Sequence, residues 1–311
     1  MSALPSDSEL EAALRTLVAS DLTLQTRARN RYSSTYETER VSVLAESGPI
    51  DLLCKYGAGY LDPPTGHRRG VAYEATMYEH LLPDDSLATP RYHGTFSTTG
   101  STQCLVLDYV DGYRVNRAPY PCGLLWTCTD LGRFHAQGPR TIPATLNVFN
   151  RKYFTRWAAE IDSLSLVGGT ARRVIARLRE LMKPVVDVLS VTPRTTIHGE
   201  LYPANVIVQE SGAVVVDWES AGRGPGVLDL AVLTQGHWDS DLVQECEAAY
   251  WANSGPVEKG QAVRSLAAAR VFAAAQLLCH LSYKETNGSA EARAVNEIGT
   301  QLETLSAKLL G

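Results

Sequence analysis

The chain has 311 residues, 44% hydrophobic and 20% charged, with a net charge of −5. Those proportions fit a globular chain with one large domain or two coupled lobes. The lack of any basic run or basic balance argues against nucleic acid as a partner. Cys54, Cys104, Cys122, Cys128, Cys246 and Cys279 are scattered with no C-x-x-C pair, and read as reduced thiols rather than as a metal or disulfide framework. The start, "MSALPSDSELEAAL", lacks the basic region and apolar core of a signal peptide, so a cytoplasmic location with no membrane contact is expected.

In chain order, residues 8–19 read as an amphipathic helix. "RVSVLAESGPIDLLCKYG" has two apolar runs around Ser47-Gly48-Pro49, a turn signal between strands. "GVAYEATMYEHLL" (70–82) carries apolar residues at helical spacing, and "TPRYHGTFSTTGSTQCLVLDYVDG" reads as two strands around Thr98-Thr99-Gly100. Beyond Gly112 the pattern is mainly helical, over 123–137, 148–162 and 169–190. A β-rich island follows at 195–218, with strands "NVIV" and "AVVVDW" joined at Ser211-Gly212. From 227 the chain is helical again, and "LAAARVFAAAQLLCHL" (266–281), interrupted by Arg270 and short of a span, reads as a buried helix. The organisation is a small sheet-rich lobe, a short connection near 108–113 and a larger helical lobe.

"HGELYPANVIV" (198–208) has the spacing of a phosphoryl-transfer loop, with Glu200 where such a loop almost always has Asp. Phosphoryl transfer needs a cation on the phosphates, oxygen ligands for magnesium and a carboxylate near the attacking hydroxyl. Lys55, at the end of a strand, can project onto phosphates, and Glu74 in the next helix can pair with it. A hairpin through Ser211-Gly212 would bring Asn205 and Asp217 together as the hard oxygen donors that magnesium prefers. Glu200 is the candidate proton acceptor. His198 is expected to hold the loop, and His135 to be a buried packing residue.

Taken together, "HGELYPAN" (198–205), "VVDWESAGRGPGVLDLA" (215–231), "LGRFHA" (131–136), "LVLDYVDG" (105–112) and Lys55 with Glu74 carry a resemblance. The chain resembles the aminoglycoside phosphotransferase and choline kinase branch of the protein-kinase-like fold, over roughly residues 28–240. The resemblance implies an α+β, two-lobed fold. Residues 1–110 would form a small β-rich nucleotide-binding lobe, and 111–311 a larger, mainly helical catalytic and acceptor-binding lobe. It implies that Lys55 holds the α and β phosphates with Glu74 as its partner, and that Asn205 and Asp217 bind Mg2+. Segment 105–112, including Asp108, Tyr109 and Val110, would be the hinge against which the base stacks. Ser33, Ser34 and Thr35 would occupy the phosphate-loop position, and Asp229 would brace the catalytic loop.

The implied activity is transfer from ATP or GTP to a hydroxyl of a small molecule, such as an antibiotic, sugar or amino alcohol. Two features favour a small acceptor over a peptide: Gly199 replaces the Arg that reads a phosphorylated activation loop, and only 11 residues separate Asp217 from Asp229. Tyr202, Glu219, His237, Trp238, Asp239 and Asp241 are candidate acceptor contacts, with a solvated helix start at "HWDSD" as the competing reading. Glu200 leaves alternatives open: a nucleotide-binding sensor or partner module without efficient transfer, a kinase of peptide Ser or Thr, or hydrolysis with water as nucleophile. Its extra methylene moves the carboxylate by roughly one bond length, and a misplacement of about 1 Å can cost on the order of 100-fold in rate.

Overall fold

The computed structural model describes residues 4–30, 36–57, 69–82, 86–119, 122–141, 146–164, 169–283 and 288–311. Its elements in chain order begin with α1 (Asp7–Leu17), β1 (Thr23–Arg29), β2 (Glu37–Ala45), β3 (Gly48–Gly57), α2 (Val71–His80), β4 (Tyr92–Ser97), β5 (Gln103–Asp108) and β6 (Tyr113–Arg114). They continue with α3 (Cys122–Ala136), β7 (Asn147–Val148), α4 (Arg151–Ser163), α5 (Gly169–Val191), β8 (Arg194–Ile197), β9 (Val206–Gln209), β10 (Gly212–Val215) and β11 (Gly222–Pro225). Last come α6 (Val227–Leu233), α7 (Ser240–Asn253), α8 (Lys259–Tyr283) and α9 (Gly288–Leu310). This is an α+β chain: an antiparallel sheet dominates the first third and helices dominate the remainder.

Two compact units partition it. The first comprises Met1–Gly123, Thr141–Thr145 and Ala204–Ala221; the second, Leu124–Arg140, Leu146–Pro203 and Gly222–Gly311.

In the first unit the sheet order is β1-β2-β3-β5-β4, all antiparallel. Strand alternation sorts β3 into two faces. Leu52, Cys54 and Tyr56 join Leu10, Leu14, Val41, Val43 and Val106 in a core that also packs α1. Lys55, one residue out of phase, is paired with Thr38 on β2 and Leu105 on β5 and faces the other way, toward the side that α2 covers. The same unit holds a small sheet of order β10-β9-β6, in which the β9–β10 hairpin pairs Gln209 with Gly212 and Val206 with Val215.

In the second unit a three-stranded sheet of order β7-β11-β8 sits among helices. Helix α4 buries Phe154, Trp157 and Ile161, the i, i+3, i+7 stripe of a core-facing helix. Helix α8 contains a window long and apolar enough to cross a membrane, yet 67% of that window is buried inside the protein. Leu266–Ala269 and Val271–Ala275 are all buried, as the sequence reading of a core helix expects.

Candidate active site

In the first unit the Lys55 ammonium is surrounded by carboxylates. Its Nζ lies 2.6 Å from Glu74 Oε2, 2.6 Å from Asp217 Oδ1 and 3.4 Å from Glu219 Oε2. The ring of Tyr36 lies 5.2 Å from the same nitrogen. Lys55, Glu74 and Glu219 are buried, whereas the Asp217 side chain is 42% exposed, so this carboxylate is the one open to a ligand. Burial alone would depress the Lys55 pKa, but Asp217, Glu74 and Glu219 outweigh it and raise it well above the ordinary value. Burial also pushes the Glu74 carboxyl up to about 7, against the pull of Lys55 and with the added push of Asp217 and Glu219. The second oxygen of Glu74 accepts from the backbone N–H of Trp218 at 3.2 Å, which ties α2 to the strand end that carries Asp217.

The hairpin does what its sequence suggests. Val216 N donates to Asn205 O at 2.9 Å, which closes the ladder just beyond β9 and β10 and brings the Asn205 and Asp217 backbones side by side. Asp217 then adopts φ +71°, a left-handed conformation that Asp tolerates better than most residues. Trp218, fully buried, anchors the turn by donating from Nε1 to Val215 O at 3.2 Å. Ligand-capable oxygens of Glu74, Asp217 and Glu219 all lie within 4.8 Å of one another. These are hard, anionic oxygen donors of the kind that would suit a magnesium ion.

The hinge candidates end β5. Asp108 pairs with His93 at 2.6 Å, Tyr109 N donates to Asp51 O at 2.8 Å, and the Arg40 guanidinium lies 4.3 Å over the Tyr109 ring. Val110 is half-buried. Ser33, Ser34 and Thr35 lie outside the described residues.

In the second unit β8 delivers His198, Gly199 and Glu200. Asp229, in the first turn of α6, accepts from His198 N at 2.7 Å and Gly199 N at 2.9 Å. It therefore braces the loop backbone, as the sequence resemblance implies. Gly199 has φ +83°, a conformation that would strain an Arg, so the glycine has a backbone reason as well as the one inferred from sequence. His198 is fully buried, and its Nδ1 accepts from Glu200 N at 3.3 Å, a loop-holding role. Glu200 is buried, and its carbonyl accepts from Tyr202 N at 2.7 Å.

Two residues the sequence reading passed over come close to this loop. Burial raises the pKa of the Tyr153 phenol, and the charge of Glu200 raises it further, while Gln276 Nε2 donates to the Tyr153 hydroxyl at 3.2 Å. They come from α4 and α8, far from "HGELYPAN" in sequence, and helical spacing marks neither. Of the acceptor candidates, Tyr202 is half-buried in the loop, and Glu219 is buried beside Lys55. Asp239 caps α7, accepting from Asp241 N at 2.8 Å and Leu242 N at 3.3 Å. Trp238 donates to Gln235 O at 3.2 Å, and His237 pairs with Glu297 at 3.3 Å.

The family model described as "Phosphotransferase enzyme family" matches residues 31–268. A search of curated proteins gives no match. Among solved structures, the choline kinase LicA from Streptococcus pneumoniae is 13% identical, with TM-score 0.62 over 96% of this chain and 99% of that one. The apoenzyme of macrolide 2'-phosphotransferase MphH from Brachybacterium faecium is 18% identical, with TM-score 0.59 over 94% and 98%. A thermostable mutant of aminoglycoside phosphotransferase APH(4)-Ia, in ternary complex with ADP and hygromycin B, is 10% identical, with TM-score 0.61 over 98% and 100%.

Proposed function

This chain belongs to the phosphotransferase enzyme family, and from that premise we propose that it moves the terminal phosphoryl group of ATP to a hydroxyl of a small, hydroxyl-bearing metabolite or antibiotic. The observation that carries the reading is the triple engagement of Lys55 by Glu74, Asp217 and Glu219. A buried lysine aimed by one carboxylate toward a second, half-exposed one is poised to meet phosphate oxygens. The ADP and hygromycin B of the aminoglycoside phosphotransferase complex, and the choline and macrolide named for the other two, support a nucleotide and a small-molecule acceptor as the two substrates.

In this reading Lys55 holds the phosphates and Glu74 fixes its direction. Asn205, Asp217 and Glu219 would hold magnesium, which neutralises phosphate charge when bound. Glu200 orients the acceptor hydroxyl and receives its proton as the new O–P bond forms and the bond to the departing ADP breaks. Tyr202, with Tyr153 and Gln276, lies on the Glu200 side of the chemistry and is suited to reading acceptor hydroxyls.

ADP release from MgATP across a library of sugars, amino alcohols, aminoglycosides, macrolides and nucleosides tests the proposal. At least one acceptor should raise turnover clearly above hydrolysis, and Glu200→Gln should lower kcat by about 100-fold or more with the KM for MgATP little changed. Thermal stabilisation by MgATP with no acceptor-dependent turnover would favour the nucleotide-binding module instead. Full activity in Glu200→Gln would remove Glu200 from the mechanism.

A further inference from the structure

Behind the loop that carries Glu200, the Asp229 brace continues into a buried polar chain that the proposed reaction does not use. The Tyr250 hydroxyl on α7 is 3.0 Å from His135 Nδ1 on α3. His135 Nε2 is 3.3 Å from Asp229 Oδ2 on α6. Asp229 in turn accepts the amides of His198 and Gly199. His135, Tyr250 and Asp229 are each at most 5% exposed, so the chain is shielded from bulk solvent.

The hydrogen-bond accounting is restrictive. An ionised carboxylate only accepts, so the His135 nitrogen facing Asp229 must carry hydrogen. In a neutral imidazole the other nitrogen, Nδ1, is then an acceptor, and the Tyr250 hydroxyl is the donor that meets it. Burial and the Asp229 charge both push the Tyr250 phenol upward, so it keeps the proton this requires.

Gly226 supplies independent support. Its φ of −58° and ψ of −27° are ordinary for any residue, so the backbone does not call for glycine. A Cβ there would lie 2.6 Å from His135 Nδ1 and 2.8 Å from the Tyr250 hydroxyl. Any side chain at 226 would intrude on this one hydrogen bond. His135 is also fixed from behind, since Thr195 on β8 donates to its carbonyl at 2.9 Å.

We propose that Tyr250 is a positioning residue for the transfer step. Its hydroxyl fixes His135 as the Nε2–H tautomer, and His135 then gives Asp229 the third donor that aligns this carboxylate on the His198 and Gly199 amides ahead of Glu200. The catalytic part of this inference rests on Glu200 being the carboxylate of the reaction; the tautomer does not.

Nitrogen-15 NMR of the full chain tests it. His135 should be neutral with the proton on Nε2. Tyr250→Phe should mix the two tautomers and shift the His198 and Gly199 amide resonances, while lowering kcat for MgATP turnover by about tenfold, the scale of one well-placed hydrogen bond, with KM for MgATP unchanged. His135→Gln, whose amide can both donate to Asp229 and accept from Tyr250, should keep turnover within about threefold, and His135→Leu should not. An Nδ1–H or doubly protonated His135 overturns the proposal. So do loop amides, or a kcat, that do not move in Tyr250→Phe. Should Glu200→Gln retain full turnover while the tautomer and amide shifts appear as stated, the failure lies with the role of Glu200 and not with the relay.

Discussion

Three carboxylates gathered on one ammonium leave a proton linkage that can be measured without any substrate. The Glu74 carboxyl is 1% exposed and raised from an ordinary 4.5 to about 7. A group with a folded pKa above its unfolded value binds more protons when folded, so its stabilisation is complete below the unfolded pKa and lost as the pH rises through the folded one. At about 1.36 kcal/mol per unit, that shift corresponds to about 3 kcal/mol of stability lost between roughly pH 4.5 and pH 8. Lys55 and Tyr78, which face the same carboxyl, are both pushed well upward and hold their protons across this window. Glu74→Gln removes the titration. Near pH 5 the variant resembles the protonated side chain but can satisfy only one of the two bonds, to Trp218 N or to Lys55 Nζ, and should be less stable by about 1 kcal/mol. Near pH 8 the wild type has lost its linkage free energy and the variant has not, so the order should reverse. Urea unfolding in chelator at pH 5, 6, 7 and 8 reads this directly. Stability curves that run parallel for the two proteins would refute the claim that Glu74 keeps a proton in the folded, metal-free chain.

Two further substitutions probe the site. Asp217→Asn should fold normally, because Asn also tolerates the left-handed backbone at φ +71°, yet it should lose magnesium-dependent turnover, seen as a flat response in a metal titration. Glu200→Asp should slow transfer by about tenfold or more if the pocket is built around the longer side chain, and a gain in activity in the assay of acceptor-dependent ADP release would overturn that reading.

The site was legible where local pattern and chemistry coincide. Lys55 could be placed because it ends an apolar run that reads as a strand, and Asn205 with Asp217 because an apolar–turn–apolar pattern favours a hairpin. Two other strands were not legible. β11 is "GRGP", a composition of breakers rather than strand formers, and it is placed by its pairing with β8 and β7. β1, "TLQTRAR", is an edge strand with no buried residue, so it carries no hydrophobic alternation to read. Glu219 and Tyr153 were missed as neighbours of Lys55 and Glu200 for a related reason. Their roles come from tertiary contacts between segments far apart in sequence, and a single sequence does not encode such contacts in its spacing.

The unusual acid at position 200 can now be weighed against its surroundings. The backbone before it is held by Asp229 at two successive amides, and the backbone after it by the turn in which Tyr202 N returns to Glu200 O. A loop pinned on both sides has little freedom to retreat by a bond length to suit a longer side chain. The extra methylene must then be absorbed in the rotamer of Glu200 or in the position of the acceptor. Burial favours the first, since a side chain that is 6% exposed is confined by packing instead of ranging through solvent. A side chain so confined, on a backbone fixed by a dedicated carboxylate, presents its carboxyl along one direction, and an acceptor site built to that direction is what the slowing expected of Glu200→Asp would report.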